Sequence, residues 1–274
     1  MGWFESIVLG IVQGLTEFLP ISSSAHVSIV GQLLFDGRDP GAAFTAVTQL
    51  GTETAVLVYF WHDITRIIRK WLLALVGKHE QNDPDVRMGW LVIVGSIPIG
   101  VLGLLFESAI DDRLRSLWIT VAMLAGVAII LWVADRFAEN NTRELDRLTW
   151  PHGLLYGLFQ ACALIPGVSR SGATISGGLF LGYTRVAATR YSFLLAVPAV
   201  FASGVYKLKD IGEGHATWGP TTLATILAFF IGYAVIAWLI RFISTHSFRG
   251  FVYYRLGLAA VVAVLLLTGV LTTT

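Results

Sequence analysis

The chain of 274 residues is short of charge. Only 14% of it is Asp, Glu, Lys or Arg, against about 25% in an ordinary soluble domain. Its 19 basic side chains nearly cancel its 18 acidic ones, so there is no basic excess to hold a nucleic acid and no acidic excess to form a solvating tail. Cysteine is nearly missing too. A lone Cys162 excludes an internal disulfide and a cysteine metal cluster, and reads as a small residue in an apolar run. The first segment lacks the marks of a signal peptide, because no basic stretch precedes it and Glu5, Gln13 and Glu17 interrupt its apolar run. That segment is expected to belong to the mature protein, and its polar residues need a purpose.

What fills the chain is apolar. Hydrophobic residues make up 55%, gathered into uncharged runs at Met88–Phe106, Ser116–Ala134, Thr221–Ile240 and Leu256–Thr274 of 19 or 20 residues each. About 20 residues cross a hydrocarbon core of about 30 Å. Two further stretches have crossing length: Ala42–Trp61, which carries Glu53, and Ala187–Tyr206, charged only at Arg190. Gly2–Phe35 and Pro151–Tyr183 differ in kind. Each is two short apolar pieces around a polar middle, FLPISSSAH in one and LIPGVSRSGAT in the other. Irregular backbone at membrane depth is tolerated only where protein or a wet cavity surrounds it, so both read as re-entrant hairpins.

The halves of the chain also resemble each other. Gly10, Gln13, Pro20, Ser23, Tyr59, Asp63 and Ile64 recur as Gly157, Gln160, Pro166, Ser169, Tyr206, Asp210 and Ile211, always 146 or 147 positions later. Thirteen of the nineteen basic residues fall on one side if the connections His62–Arg87 and Asp135–Trp150 are cytoplasmic, with Arg185, Arg190, Arg241, Arg249 and Arg255 counted there. Arg38, Arg113, Arg115, Lys207 and Lys209 fall on the other side, and Arg170 sits at a hairpin tip. Positive residues favour the inner side, which sets both termini outside and makes the two hairpins enter from opposite faces. The expectation is an all-α polytopic membrane protein with six transmembrane helices, two re-entrant helix hairpins and an inverted-topology internal repeat. It is a single membrane domain over residues 1–274, with repeat 1 near 1–134 and repeat 2 near 151–274. Within the inner loop, Ile64, Ile67, Ile68, Trp71, Leu72 and Leu75 oppose Arg66, Arg69 and Lys70, the pattern of an interfacial amphipathic helix.

Ionisable groups inside lipid are costly and point to function. Gln13 and Glu17 lie four apart on one helical face that Pro20 ends. The run Ser22, Ser23 and Ser24 is suited to start a new helix, whose N-terminus attracts anions. Ser23 and His26 are one turn apart, close enough for a hydroxyl beside a base. In the second hairpin, Ser169, Arg170, Ser171 and Thr174 offer a forked guanidinium and hydroxyls to a phosphate. Bland uses exist for each: helix capping for the serines, an interhelical hydrogen bond for His26, a structural ion pair for Glu17 and Arg170, and protonation or pairing for Glu53. Glu17 with the amide of Gln13 is too little for a closed metal cage. It fits a divalent ion completed by substrate phosphates.

Gln13–His26 (QGLTEFLPISSSAH) together with Pro166–Gly178 (PGVSRSGATISGG) closely resembles the undecaprenyl-diphosphate phosphatases, the bacitracin-resistance membrane phosphatases. The resemblance implies hydrolysis of undecaprenyl diphosphate to the monophosphate carrier and phosphate, with the carrier recycled for peptidoglycan synthesis. It implies a multi-pass protein of the bacterial cytoplasmic membrane, its site open to the outer side, dependent on a divalent cation, Mg²⁺ or Ca²⁺. Carried over by motif, Glu17 is the essential acid, Ser23 the nucleophile candidate, His26 its acid/base partner and Arg170 the phosphate clamp. Ser22, Ser24, Ser169, Ser171 and Thr174 are the expected phosphate-binding hydroxyls, and Glu17 and Gln13 the expected metal ligands. Gln13 stands where many members carry Glu. The expected partners are a polyprenyl diphosphate lipid and membrane lipids, with a homodimer open to it and no nucleic acid. A lipid flippase or other secondary transporter is the competing class, since inverted repeats with broken helices are typical of transporters.

Overall fold

A backbone that faces lipid has no water to bond, so an apolar chain satisfies its N–H and C=O groups within helices. The computed structural model, which describes residues 1–35, 41–106, 114, 116–212 and 216–273, obeys this throughout. Its longer helices are α1 (Trp3–Thr16), α2 (Ser23–Leu34), α3 (Gly41–Tyr59), α4 (Trp61–Leu75), α5 (Pro84–Leu105), α6 (Leu117–Phe137), α7 (Trp150–Ala161), α8 (Arg170–Phe180), α9 (Arg185–Lys207), α10 (Trp218–Ile243) and α11 (Arg249–Leu267). Among the described residues there is no β-strand, only an isolated bridge between Arg143 and Tyr183. Local chemistry sets several starts. Asp83 accepts from the Asp85 amide ahead of Pro84 to open α5, and the Thr149 and Thr184 hydroxyls cap α7 and α9.

Five described helices are long and apolar enough to cross a membrane: Pro84–Leu105, Leu117–Asn140, Arg185–Asp210, Trp218–Ile243 and Arg249–Leu267. The stretch expected as a sixth crossing, Ala42–Trp61, folds as α3 but stands outside that set. Thr45, Thr48, Gln49, Thr52, Glu53 and Thr54 make it too polar, and the helix stops at Tyr59 so that α4 begins at Trp61. The two polar hairpins form as broken helix pairs, α1 with α2 and α7 with α8. On α4, Ile64 and Ile67 pack on the core while Ile68, Leu72 and Leu75 are exposed, so the apolar stripe is split between protein and surroundings. Arg66 and Lys70 pair instead with Asp63, Asp83 and Asp85.

The main core joins α3 and α5 through α11 around Phe18, Tyr156, Tyr191, Leu195 and Ile236. Small residues bring the broken helices close to their neighbours. A Cβ on Gly10 would stand 2.7 Å from the Ala224 Cα, so α1 lies directly on α10. One sequence expectation needs correcting. Arg255 is not a loop charge: it lies within α11, has no exposed surface, and bonds only backbone carbonyls. Arg38, Arg113 and Arg115, used in the orientation count, lie outside the described residues.

Candidate active site

Pro20 removes a backbone donor and biases the residue before it away from helix, so α1 ends at Thr16 and the chain turns through residues 17–22 before α2. The second break runs from the end of α7 through Pro166 and Gly167 to α8. Both new helices begin from the same unusual backbone. Ser22, ahead of α2, has φ 75°, and Ser169, ahead of α8, has φ 71°; they are the only non-glycine residues of positive φ among those described. Such conformations cost roughly 1–3 kcal/mol and persist where surroundings enforce them, often at functional sites. Each serine also faces the hydroxyl two residues on, Ser22 to Ser24 at 3.2 Å and Ser169 to Ser171 at 3.1 Å. This local match pairs Ser23 with Arg170, one residue out of register from the pairing of Ser23 with Ser169 read from sequence.

Those first residues of α2 and α8 converge on one carboxylate. Ser23 Oγ donates to Glu17 Oε2 at 2.6 Å, and Arg170 Nη2 donates to Glu17 Oε1 at 2.9 Å. Gln13 Nε2 donates to the same Oε2 at 2.6 Å, from one turn earlier on α1. The tips touch directly as well, since Ser171 Oγ donates to the Leu19 carbonyl at 3.0 Å. Glu17 is buried, and the Arg170 side chain is only 12% exposed. Charged hydrogen bonds in such a setting are short and strong.

His26 is turned elsewhere. Its Nδ1 lies 2.7 Å from the Ser22 carbonyl, which can only accept, so that nitrogen carries the proton. In the neutral ring Nε2 then accepts from Tyr254 Oη at 2.7 Å. The hydroxyl–imidazole contact expected between Ser23 and His26 is not made, because Glu17 already holds the serine proton. Thr174 is fully buried and spends its hydroxyl on the Arg170 carbonyl and on Ser192 of α9. It supports α8 from behind. Ser24, by contrast, is exposed at the start of α2. No side chain caps that helix, whereas Ser169 accepts from the Gly172 amide to cap α8.

Four participants escaped the sequence reading or were left unassigned by it. Glu53 Oε1 accepts from Arg170 Nη2 at 2.6 Å, and Gln49 Nε2 lies 3.3 Å from Glu17 Oε1. Their spacing of four on α3 was the available signal. Tyr254 orients His26, and Arg255 donates to Pro20 at one tip and to Gly167 and Val168 at the other. For Arg255 the signal was an arginine at the very edge of the apolar run Leu256–Thr274, and it was counted toward topology instead.

The unpartnered atoms at the meeting tips indicate what could bind there. Gln13 Oε1, Glu53 Oε2 and Arg170 Nη1 are buried without a hydrogen-bond partner. No group of three or more His, Cys, Asp and Glu suited to a metal occurs among the described residues. The donors at hand are therefore a few hard oxygens, which fit Mg²⁺ or Ca²⁺ completed by water and phosphate and do not fit zinc.

Residues 6–261 match the model of the family described as bacitracin resistance protein BacA. The chain belongs to the BacA family. Similar relatives bear out the assignment along the whole length. Undecaprenyl-diphosphatase of Micrococcus luteus is 61% identical over 276 residues, covering 99% of each chain. That of Pseudarthrobacter chlorophenolicus is 58% identical with the same coverage. Undecaprenyl-diphosphatase 2 of Streptomyces coelicolor is 59% identical over 284 residues, covering 99% of this chain and 97% of its own. In this BacA-family chain both motifs that carry the resemblance lie at the meeting tips.

Proposed function

We propose that the chain hydrolyses undecaprenyl diphosphate to undecaprenyl phosphate and inorganic phosphate. The observation that carries this reading is the convergence of Ser23 and Arg170, each the first residue of a helix after a break, on the carboxylate of Glu17. Phosphoryl transfer needs in-line positioning and charge neutralisation above all. Arg170 Nη1, buried and unpartnered, is available to the terminal phosphate, and the uncapped amides at the start of α2 add donors. A divalent cation bound through Glu17 and the Gln13 carbonyl oxygen would supply neutralisation of the diphosphate charge.

In the proposed sequence Ser23 Oγ attacks the terminal phosphorus and its proton passes to Glu17 Oε2, already 2.6 Å away. The anhydride P–O bond breaks and undecaprenyl phosphate leaves. A water molecule then cleaves the phosphoserine while His26 Nε2, the ring's one acceptor, gives up the Tyr254 hydroxyl, takes the water proton and later releases it to solvent. Glu17 returns its proton to Ser23. Ser22, Ser24, Ser169 and Ser171 line the turns that hold the phosphates.

The wider setting belongs to the same reading. We take α3 as a sixth crossing, the broken pairs as re-entrant hairpins, and the halves as inverted repeats of one membrane domain. The packing supports the exchange: α1 lies on α10 as α7 lies on α5, α1 on α2 as α7 on α8, and α3 on α9 and α6 on α11 are self-paired. With Arg255 withdrawn, the cytoplasmic side still holds the excess of basic residues, which orients both termini and the site opening to the outer face of the cytoplasmic membrane. The test is phosphate release by the purified protein in detergent with Mg²⁺ and a polyprenyl diphosphate. Losses of about 100-fold or more are expected in Ser23→Ala, His26→Ala and Arg170→Ala. Turnover retained in all three would overturn the reading.

A further inference from the structure

Glu53 has no task in the sequence just described. It is wholly buried on α3, and its Oε1 shares Arg170 Nη2 with Glu17. One guanidinium thus serves two buried carboxylates, and Glu53 Oε2 and Gln13 Oε1 are left without any partner. Unpaired buried oxygens of this kind are costly, and in native sites they call for an ion or water. Both lie on side chains that reach the Glu17–Arg170 pair, Gln13 by its amide and Glu53 by its other oxygen. Position 13 provides an amide oxygen and no charge.

We propose that Glu53 is a ligand of the divalent cation, supplying from α3 the carboxylate that position 13 lacks. The inference rests on the cation in the reading above and adds a residue to its shell. Two carboxylates, Glu17 just past α1 and Glu53 on α3, with the Gln13 amide oxygen from one turn before Glu17, give a hard-oxygen site of charge −2 against a cation of +2. Arg170 is then free to turn its fork toward the phosphates. Glu53 is a ligand in this account and does not touch the reacting atoms.

The test is direct binding of Mn²⁺ to the purified protein in detergent, without lipid, read by the electron paramagnetic resonance of the free ion. Glu53→Gln keeps an acceptor for Arg170 and removes the charge. Its Mn²⁺ affinity is expected to fall at least about 10-fold. The exchanged variant Gln13→Glu with Glu53→Gln is expected to regain affinity to within about threefold of wild type, because the charge is restored from the other helix. Wild-type affinity in Glu53→Gln, with only phosphate release impaired, would reduce Glu53 to an anchor for Arg170 and overturn the proposal. If Glu53→Gln does not fold, the exchanged variant decides alone, and an affinity loss beyond threefold overturns it. An unmodified protein that binds no Mn²⁺ also overturns it, while phosphate release still tests the hydrolase reading separately.

Discussion

Arg255 gives the sharpest test of how the site is held together. Its guanidinium donates to Pro20 at 3.1 Å, Gly167 at 2.9 Å and Val168 at 3.2 Å, and to Met123 and Leu124 of α6 at 3.1 Å each. Replacing it with Met fills similar volume but removes every donor. The carbonyls of Pro20, Gly167 and Val168 sit in turns, so no helical amide stands by to take over. Each buried acceptor left unsatisfied costs about 1–3 kcal/mol. Relief from burying a cation offsets part of that, leaving a net loss of about 3 kcal/mol. For a chain of this size the melting temperature should drop by roughly 6–12 °C. Activity should fall further than stability, because the two tips would lose their common tie, and a misplacement of about 1 Å can cost 100-fold in rate. Arg255→Lys keeps the charge but has a compact ammonium that cannot span both tips, so it should fall between the two. Thermal unfolding in detergent and phosphate release from the same preparations measure both effects. A Met variant that melts and turns over like wild type would refute the reasoning.

Three further outcomes follow from local geometry. Arg170→Lys should lower the rate of phosphate release by about 100-fold while the protein melts normally, since an ammonium cannot replace a fork that holds carboxylate and phosphate together. Gly10→Val should destabilise by about 1–3 kcal/mol by prising α1 from Ala224, whereas Gly100→Val, with nothing within 4 Å of the added Cβ, should leave helix packing intact; comparative thermal unfolding reads both. Burial raises the Asp83 carboxyl, but hydrogen bonds from Lys70, His79 and the Asp85 amide outweigh it and hold it below the usual carboxylate range. A depressed folded value means stability that is complete above the ordinary value near 4 and lost as pH falls through it. The melting temperature should therefore decline below about pH 4, and less steeply in Asp83→Asn; equal slopes would contradict this.

Much of the arrangement was legible in the sequence because membrane folding leaves few alternatives. Uncharged runs near 20 residues have no stable form but helix, and Pro20 and Pro166, each beside a polar serine-rich run, mark the breaks, whereas Pro98 and Pro198 in apolar surroundings stay inside α5 and α9. Glu17, Ser23 and Arg170 stood out for the same reason: polar groups in such runs need partners, and these three found one another. The sequence was less informative where partners come from distant helices. Nothing near His26 pointed to Tyr254, 228 positions away. The spacing of Ser23 and His26 allowed a contact that the Glu17 carboxylate took instead. Arg255 read as a loop charge because a window of residues cannot tell an arginine at a helix end from one turned inward to carbonyls. The same limit bears on α3, read from sequence as a sixth crossing, whose four threonines each bond a carbonyl of their own helix and so cost less there than composition suggests.

The central claim, that two broken helices close around one lipid-borne phosphate, is tested most directly by an experimental structure with Mg²⁺ and a non-hydrolysable polyprenyl diphosphate bound. The terminal phosphate is expected within about 3 Å of both Arg170 Nη1 and Ser23 Oγ. A head group bound elsewhere, with Arg170 still bridging Glu17 and Glu53, would contradict it.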